Sequence, residues 1–429
     1  MSGGAGLCES PGSSVYEGVR ILDFTQLEQG PSGTQVLADF GAEVIKIERH
    51  DIGEIGRDHS PRVNGMSPHW AANNRNKLSL SLDLKAPGAR DVLERLVKTA
   101  DVVASNFRPG VMERLGLGYE DLRAINPRII CAYASGYGRS GPYAERRGQD
   151  LAAQAMGGVL ALTGSADSPT AAGTYAIDYV AAMHFAQGIM LALAARERTG
   201  EGQVVDSCLL NSAVALHLQE ATTYLNTGRE YPRPPRGIAH SHSTALYARY
   251  RTADDRWLVL VGEYFVDRPW QRVCDALGLS ARRDDPRFAT TRGLAEHVEE
   301  THALLQRAFD DLSLDQALKA LEEQDILAAP VNDYPHLFED PQVLHNELVV
   351  TAEHPHAGTV KLVGPAVKLS ATPARVRNAP PTVGQDNEQV LAGLGFTSAE
   401  IAGLQETGVV GTENRRHRET GVAHWGPAE

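Results

Sequence analysis

Residues 128–150 read RIICAYASGYGRSGPYAERRGQD. The stretch through Ser135 is an apolar run with the composition of a buried strand, and Gly136, Gly138 and Gly141 follow it at the spacing G-x-G-x-x-G. After a strand, that spacing marks the phosphate turn of dinucleotide enzymes, where the third glycine lies in the opening turn of a helix and an acid about 20 residues on holds the ribose. Here Pro142 follows Gly141, and YAERRGQD is polar without helical period. The strand also comes late in the chain, and no clean second strand ends in an acid at the required distance. An NAD-dependent oxidoreductase is therefore disfavoured. Two readings stay open: a flexible surface turn, or a loop whose glycines let the backbone and Tyr137 approach a ligand closely.

Outward from this loop, the first half alternates short apolar runs with helical patterns. GVRILDF, AEVIKIE, LSLSLDL, DVVAS and RIICAYAS read as strands, with helices over SGTQVLADFG and GARDVLERLVKTA. Near-continuous apolar strands alternating with helices predict an α/β fold, a parallel sheet covered on both faces with ligands beyond the carboxyl ends of its strands. One helix is expected over DLAAQAMGGVLALTG, and a second from about Asp178 to Gly200. The polar run LNTGREYPRPPRG reads as a linker, and ALYARYRTADDRWLVLV as a hairpin opening a second unit with helices after it. The strand AAPVNDY and the hairpin LVVTAEHPHAGTVKLVG are expected to return the chain to the first domain. The predicted organisation is a tail at 1–15, a large Rossmann-like domain at 16–205 and a helix and linker at 206–235. A small α+β domain follows at 236–328, then a return segment completing the large domain at 329–411 and a tail at 412–429.

A chain of 429 residues is too long for one ordinary core, in keeping with two domains. Its net charge of -13 argues against a nucleic-acid partner, although one cationic pocket would be compatible with it. Cys8, Cys131, Cys208 and Cys274 form no C-x-x-C pair, as expected of reduced thiols in a cytoplasmic protein. The N-terminus does not read as a signal peptide, and no run of about 18 apolar residues predicts a membrane span. His240 and His242 have no third ligand at a usual spacing, so a pocket-lining or polar loop is expected there and no metal. Asp178 is a lone acid between Ile177 and Tyr179 with apolar neighbours on both sides. Helix N-capping would account for it, and a helix N-terminus would also favour its ionised form.

GVRILDFTQLEQGPSGTQVLADFGAEVIKIER, NRNKLSLSLDLK, ADVVASNFRPGVMERLGLGYEDL and NPRIICAYASGYGRSGPYAERRGQD together resemble the class III coenzyme A transferases, from about residue 17 to about residue 410. This is the family of formyl-CoA transferase and crotonobetainyl-CoA:carnitine CoA-transferase, to which the α-methylacyl-CoA racemases are related. EDPQVLHNELVVTAEHPHAGTVKLVGPAV is similar to the branch that handles succinyl-CoA and glutarate. The resemblance implies a homodimer of two interlocked rings, each with a large Rossmann-like domain made from both ends of the chain and a small inserted domain.

It further implies transfer of CoA between carboxylic acids with Asp178 as the nucleophile, and coenzyme A as a substrate with no tightly bound cofactor. By match to the family, Arg49, Lys85 and Arg114 would meet the phosphate and adenine end of CoA, while Leu82, Asn106, Phe107 and Tyr137 would line the adenine and pantetheine path. The glycine loop would keep water from the intermediates. Glu28 stands where formyl-CoA transferase has glutamine, and a carboxylate there disfavours a nearby anion. The racemases carry a catalytic histidine in a G-H-D motif, which here is Gly148-Gln149-Asp150. Glutamine cannot serve as a general base, but Gln149 could hydrogen-bond an acyl or anhydride oxygen. An isomerase moving CoA within one molecule would use the same aspartate, and a non-catalytic acyl-CoA binder would need none. Arg146 and Arg147 are candidates for a distal substrate carboxylate, or solvated charges.

Overall fold

A computed structural model describes residues 14–263 and 267–411. Cys8 and, apart from residues 14–15, the two expected tails lie outside the described residues. Six parallel strands form the main sheet: β1 Arg20–Asp23, β2 Glu43–Glu48, β3 Lys77–Ser81, β4 Val102–Ser105, β5 Ile130–Ser135 and β6 Val204–Cys208, in the order β3-β2-β1-β4-β5-β6. This is the doubly wound order, in which the chain reverses direction across the sheet between β1 and β4. β6 was not anticipated. Val-Val-Asp-Ser-Cys is half polar and buries only Cys208, as an edge strand can.

Alternate residues of the strands face opposite layers. Ile21, Val44, Val102, Ile130 and Ala132 pack with α1 (Gln29–Asp39) and with the long helix named α5 below. Leu22, Ile45, Val103 and Cys131 pack on the other side over α3 (Ala89–Thr99), which contributes Val92, Leu93, Leu96 and Val97 at helical spacing, while Ala71 of a short helix α2 (Pro68–Ala72) packs in a separate cluster with Ala357, Val360 and Leu362. Val390, Leu391, Phe396 and Ile401 from the end of the chain join that second layer.

The single helix expected at 150–164 is broken. α4 (Asp150–Met156) stops before Gly157-Gly158, where Gly158 adopts φ +89°, and only one turn, Val159–Leu162, follows. α5 (Ala176–Thr199) then runs unbroken to Gly200, whose left-handed φ of +77° and N–H bond to Arg196 O end it. By length and composition α5 is apolar enough to cross a membrane, but Ile177, Ala181, Phe185 and Ile189 are buried in the core.

The described residues cluster into two compact units: those up to Ala153 with Tyr175–Ala215 and those from Pro341 on, and Gln154–Thr174 with Leu216–Asp340. The second unit holds an antiparallel sheet of β7 Tyr247–Arg251, β8 Trp257–Val261 and β9 Leu327–Pro330, packed around Tyr250, Trp270, Phe288 and Phe309. β9 corrects an expectation. Instead of returning the chain to the first domain, Leu327–Pro330 pairs with β8 and completes this small sheet. The later hairpin, β10 Val349–His354 with β11 Gly358–Val363, forms as expected. It falls in the first compact unit.

Candidate functional site

α1 and α5 are crossover connections that run antiparallel to the strands, so both begin at the carboxyl edge of the sheet. Gly33 lets them touch: a Cβ there would stand 2.8 Å from Ala182 O and 3.0 Å from Phe185 Cδ1. Gly33 and Ala182 each lie little more than one turn beyond Glu28 and Asp178, so the contact brings the two acids near each other.

Asp178 occupies the third position of α5, and the N-cap, Tyr175, offers no side-chain bond. The backbone N–H groups of Ile177 and Asp178 instead donate to Oδ1 of Asp150, at 2.7 and 3.1 Å. The capping account of Asp178 is thereby overturned: the cap is Asp150, last residue of Gly148-Gln149-Asp150. The Asp178 side chain accepts no hydrogen bond among the described residues. Burial first, then the charges of Asp150 and Glu28, push its carboxyl up to about 7. The expected preference of a helix N-terminus for the ionised form is outweighed.

Glu28 precedes α1. Its Oε2 accepts from Asn73 Nδ2 at 3.2 Å and lies 3.3 Å from His69 Nε2. Burial raises its carboxyl and Asp150 adds to the effect, against the Asn73 bond and His59. His69 stacks on His59 with ring centroids 4.5 Å apart, and Tyr175 meets His69 edge-on at 6.0 Å. Burial depresses both imidazoles, and His69 depresses His59 further. The acids therefore face largely neutral rings at physiological pH.

Beneath them lies a buried charge network. The Asp23 carboxylate receives Lys77 Nζ at 2.9 Å, Thr34 Oγ1 at 2.8 Å and the Thr25 N–H at 2.9 Å. Lys77 Nζ also donates to Pro31 O and to Asn74 Oδ1, each at 3.0 Å, while Lys46 pairs with Glu54 at 3.0 Å. Burial would raise Asp23, but Lys77 and Lys46 hold it well below the usual range; burial pushes Lys77 itself down to about 8, against the pull of Asp23. These bonds fix the first turn of α1 and the residues after α2, the supports of Glu28 and His69.

The remaining candidates follow the carboxyl ends of the strands. After β2, Arg49 is exposed and paired with Asp51 at 2.8 Å. After β3, Leu82 is buried in the core and Lys85 is exposed. After β4, Asn106 brackets Gln26, accepting its N–H at 2.8 Å and donating to its carbonyl at 2.7 Å. This clamp joins the ends of β1 and β4, the crevice where ligands settle in doubly wound sheets. Phe107 packs half-buried on the core, Arg114 is the exposed last residue of the one-turn helix Val111–Arg114, and Tyr137 meets Tyr143 edge-on at 6.0 Å. No hydrogen bond or ion pair among the described residues links Arg49, Lys85 or Arg114 to the acids around Asp178.

The glycines of the opening stretch now have reasons. A Cβ on Gly136 would stand 2.6 Å from Gly148 Cα, and Gly138 and Gly141 take φ of +96° and +92°. Residues 136–148 thus form a loop pinched shut at its neck, and the next helix starts at Asp150, not at Gly141. Gln149 is exposed beside that neck, as is Arg147, while Arg146 lies over the Tyr143 ring at 3.9 Å. In the second unit, His240 lies 3.4 Å from Glu220 and His242 takes a bond from Arg229 at 3.1 Å, with Tyr231 against both rings.

Sequence reasoning missed Asp150, His59, His69 and the buried lysines. Asp150 had a signal, since it ends the motif in which only Gln149 was weighed. The histidines had none.

CoA-transferase family III matches residues 16–387. The succinyl-CoA–D-citramalate CoA-transferase of Chloroflexus aurantiacus is 34% identical, over 91% of this chain and 97% of its own. The succinyl-CoA:glutarate CoA-transferase of Mus musculus is 34% identical, over 96% of this chain and 95% of its own. A crystal structure of a CaiB/BaiF family protein from Brucella suis gives a TM-score of 0.81 at 29% identity, covering 89% of this chain and 100% of that one. The chain belongs to CoA-transferase family III.

Proposed function

We propose that this class III CoA-transferase moves coenzyme A between carboxylic acids through covalent intermediates on Asp178. The observation that carries the reading is the Asp178 carboxylate itself, placed at the start of a buried helix and relieved of capping by Asp150. Ionised, it attacks the thioester carbonyl of an acyl-CoA; a C–O bond forms, the C–S bond breaks, and the products are an acyl-aspartyl anhydride and CoA thiolate. The thiolate attacks the aspartyl carbonyl, expelling the first acid as its carboxylate and leaving an aspartyl-CoA thioester. The incoming carboxylate attacks that thioester, giving a new anhydride and thiolate. Attack of the thiolate on the new acyl carbonyl then releases the product acyl-CoA and restores Asp178. One acyl bond replaces another at each step, so the thioester energy is retained without ATP.

Arg49, Lys85 and Arg114 take the phosphate and adenine end of CoA, and Asn106, Phe107 and Tyr137, with Leu82 in the wall behind, line the path to Asp178. Their places after parallel strands support this. Gln149 donates a hydrogen bond to an acyl or anhydride oxygen, and the loop at 136–148 closes over the site to limit hydrolysis. Glu28, its carboxyl raised by burial, faces the intermediates from the residue before α1. The acids are small dicarboxylates such as succinate or glutarate, a reading supported by the named activities of the relatives. The enzyme works as an interlocked homodimer, which would give the exposed Leu191, Leu218 and Leu225 a partner surface.

The test is incubation with succinyl-CoA, trapping with hydroxylamine or borohydride, and peptide mass analysis. Modification of Asp178 is expected, with loss of transfer in Asp178→Asn and Asp178→Ala. Wild-type exchange by either variant would end the proposal.

A further inference from the structure

We infer that Asp150 is the positioning residue of the nucleophile: its carboxylate takes helix-capping bonds of α5, leaves the Asp178 side chain unbonded, and stands beside it as a second acid. The inference rests on Asp178 being the nucleophile. Asp150 is 5% exposed and opens α4. Its Oδ1 accepts from two amides of the first turn of α5, those of Ile177 and of Asp178 itself. An acid this near a helix start ordinarily turns back onto the free amides there. With those amides occupied, Asp178 has no such partner, and its carboxylate stays available to an incoming carbonyl. The same bonds hold the nucleophile's own backbone, so its position is set from α4.

The charge has a second effect. Asp150 from α4 and Glu28 from α1 are the groups whose charges act on Asp178. His69 on α2 reaches it only through Glu28, and Tyr175 and Tyr179 flank it on its own helix. Two carboxylates held together resist simultaneous ionisation, so Asp178 keeps its proton to higher pH and attacks as a more basic oxygen.

Asp150→Asn keeps an acceptor oxygen and removes the charge; Asp150→Ala removes both. Each is made in the full chain and treated with succinyl-CoA, and the Asp178 adduct is trapped with hydroxylamine from about pH 5 to about pH 9. Asp150→Asn is expected to melt near the wild-type temperature and to form adduct with a pH profile displaced about one unit downward. Asp150→Ala is expected to melt lower and to lose roughly tenfold or more of its adduct rate at every pH. A profile of Asp150→Asn that overlays the wild type overturns the inference, as does an Asp150→Ala protein with wild-type melting and rate. If the wild type forms no Asp178 adduct with any acyl-CoA, the nucleophile assignment is what has failed. Asp150 is then read without substrate, from the gain in melting temperature that Asp178→Asn brings at about pH 8. Asp150→Asn is expected to shrink that gain, and strict additivity of the two substitutions overturns the inference.

Discussion

Replacing Asp178 by asparagine removes the proposed nucleophile and is expected to make the folded protein more stable in alkali. The carboxyl is pushed from its ordinary value near 3.8 up to about 7 by burial, Asp150 and Glu28. The folded state therefore holds a proton that the unfolded chain has released. Stability from that proton is complete below about pH 4 and is lost as pH rises through about 7. A shift of about three units corresponds to about 4 kcal/mol, and solvent screening of a partly exposed carboxylate reduces this to roughly 2 kcal/mol. More than half of it accrues between about pH 5 and about pH 8. Asparagine has the same shape and no charge to bury. At about 2 °C per kcal/mol, the melting temperature of Asp178→Asn relative to wild type is expected to climb roughly 2 to 3 °C across that range. Paired calorimetric scans at each pH measure the difference directly, with the titration of every other group common to both proteins. A difference that is flat with pH, or that falls, would refute the argument that neighbouring carboxylates and burial govern this side chain.

Gly33→Ala would set a methyl 2.8 Å from Ala182 O, a backbone atom that cannot swing aside. The variant is expected to lose roughly 2 kcal/mol or more in denaturant unfolding, with transfer impaired as the starts of α1 and α5 separate. Gly136→Ala would bring a methyl within 2.6 Å of Gly148 Cα and open the neck of the loop, so the ratio of acyl-CoA hydrolysis to transfer is expected to rise. Lys77→Met leaves the Asp23 carboxylate short of its partner at 2.9 Å, and urea titration is expected to show a loss of roughly 3 kcal/mol. Arg49→Ala and Lys85→Ala are expected to raise KM for acyl-CoA several-fold with kcat nearly unchanged, as for contacts made equally in ground and transition states.

The sheet was legible because its strands bury both faces: runs such as RILD and ICAYAS have no solvent side to interrupt them. β6 and β9 lacked that signature. Asp206 interrupts the first, and Leu327–Pro330 has no fully buried residue. The break after α4 was written in Gly157-Gly158 but masked by the apolar period on either side. Asp178 was found with the wrong structural companion, because two acids 28 positions apart compete for the same amides and only the fold decides between them. The charges beneath the site were hidden for a related reason. Lys46 and Asp23 sit among the apolar residues of EVIKIE and RILD, and their ion pairs come from other strands and loops.

The neck of the loop at 136–148 separates scaffold from variable tip. With Gly136 and Gly148 in direct apposition, the segment from Tyr137 to Arg147 leaves and rejoins the fold at one junction without side chains. Arg139 ties its first part to the sheet, donating its N–H to Asp206 at 3.1 Å and lying over the Tyr133 ring at 3.8 Å. Such a segment is a natural cassette, whose tip can be exchanged while the strand and the helix beyond it keep their course. On the proposed reading of this loop as the cover of the site, transplanting the tip from a relative that prefers a different acid is expected to shift the choice of acid.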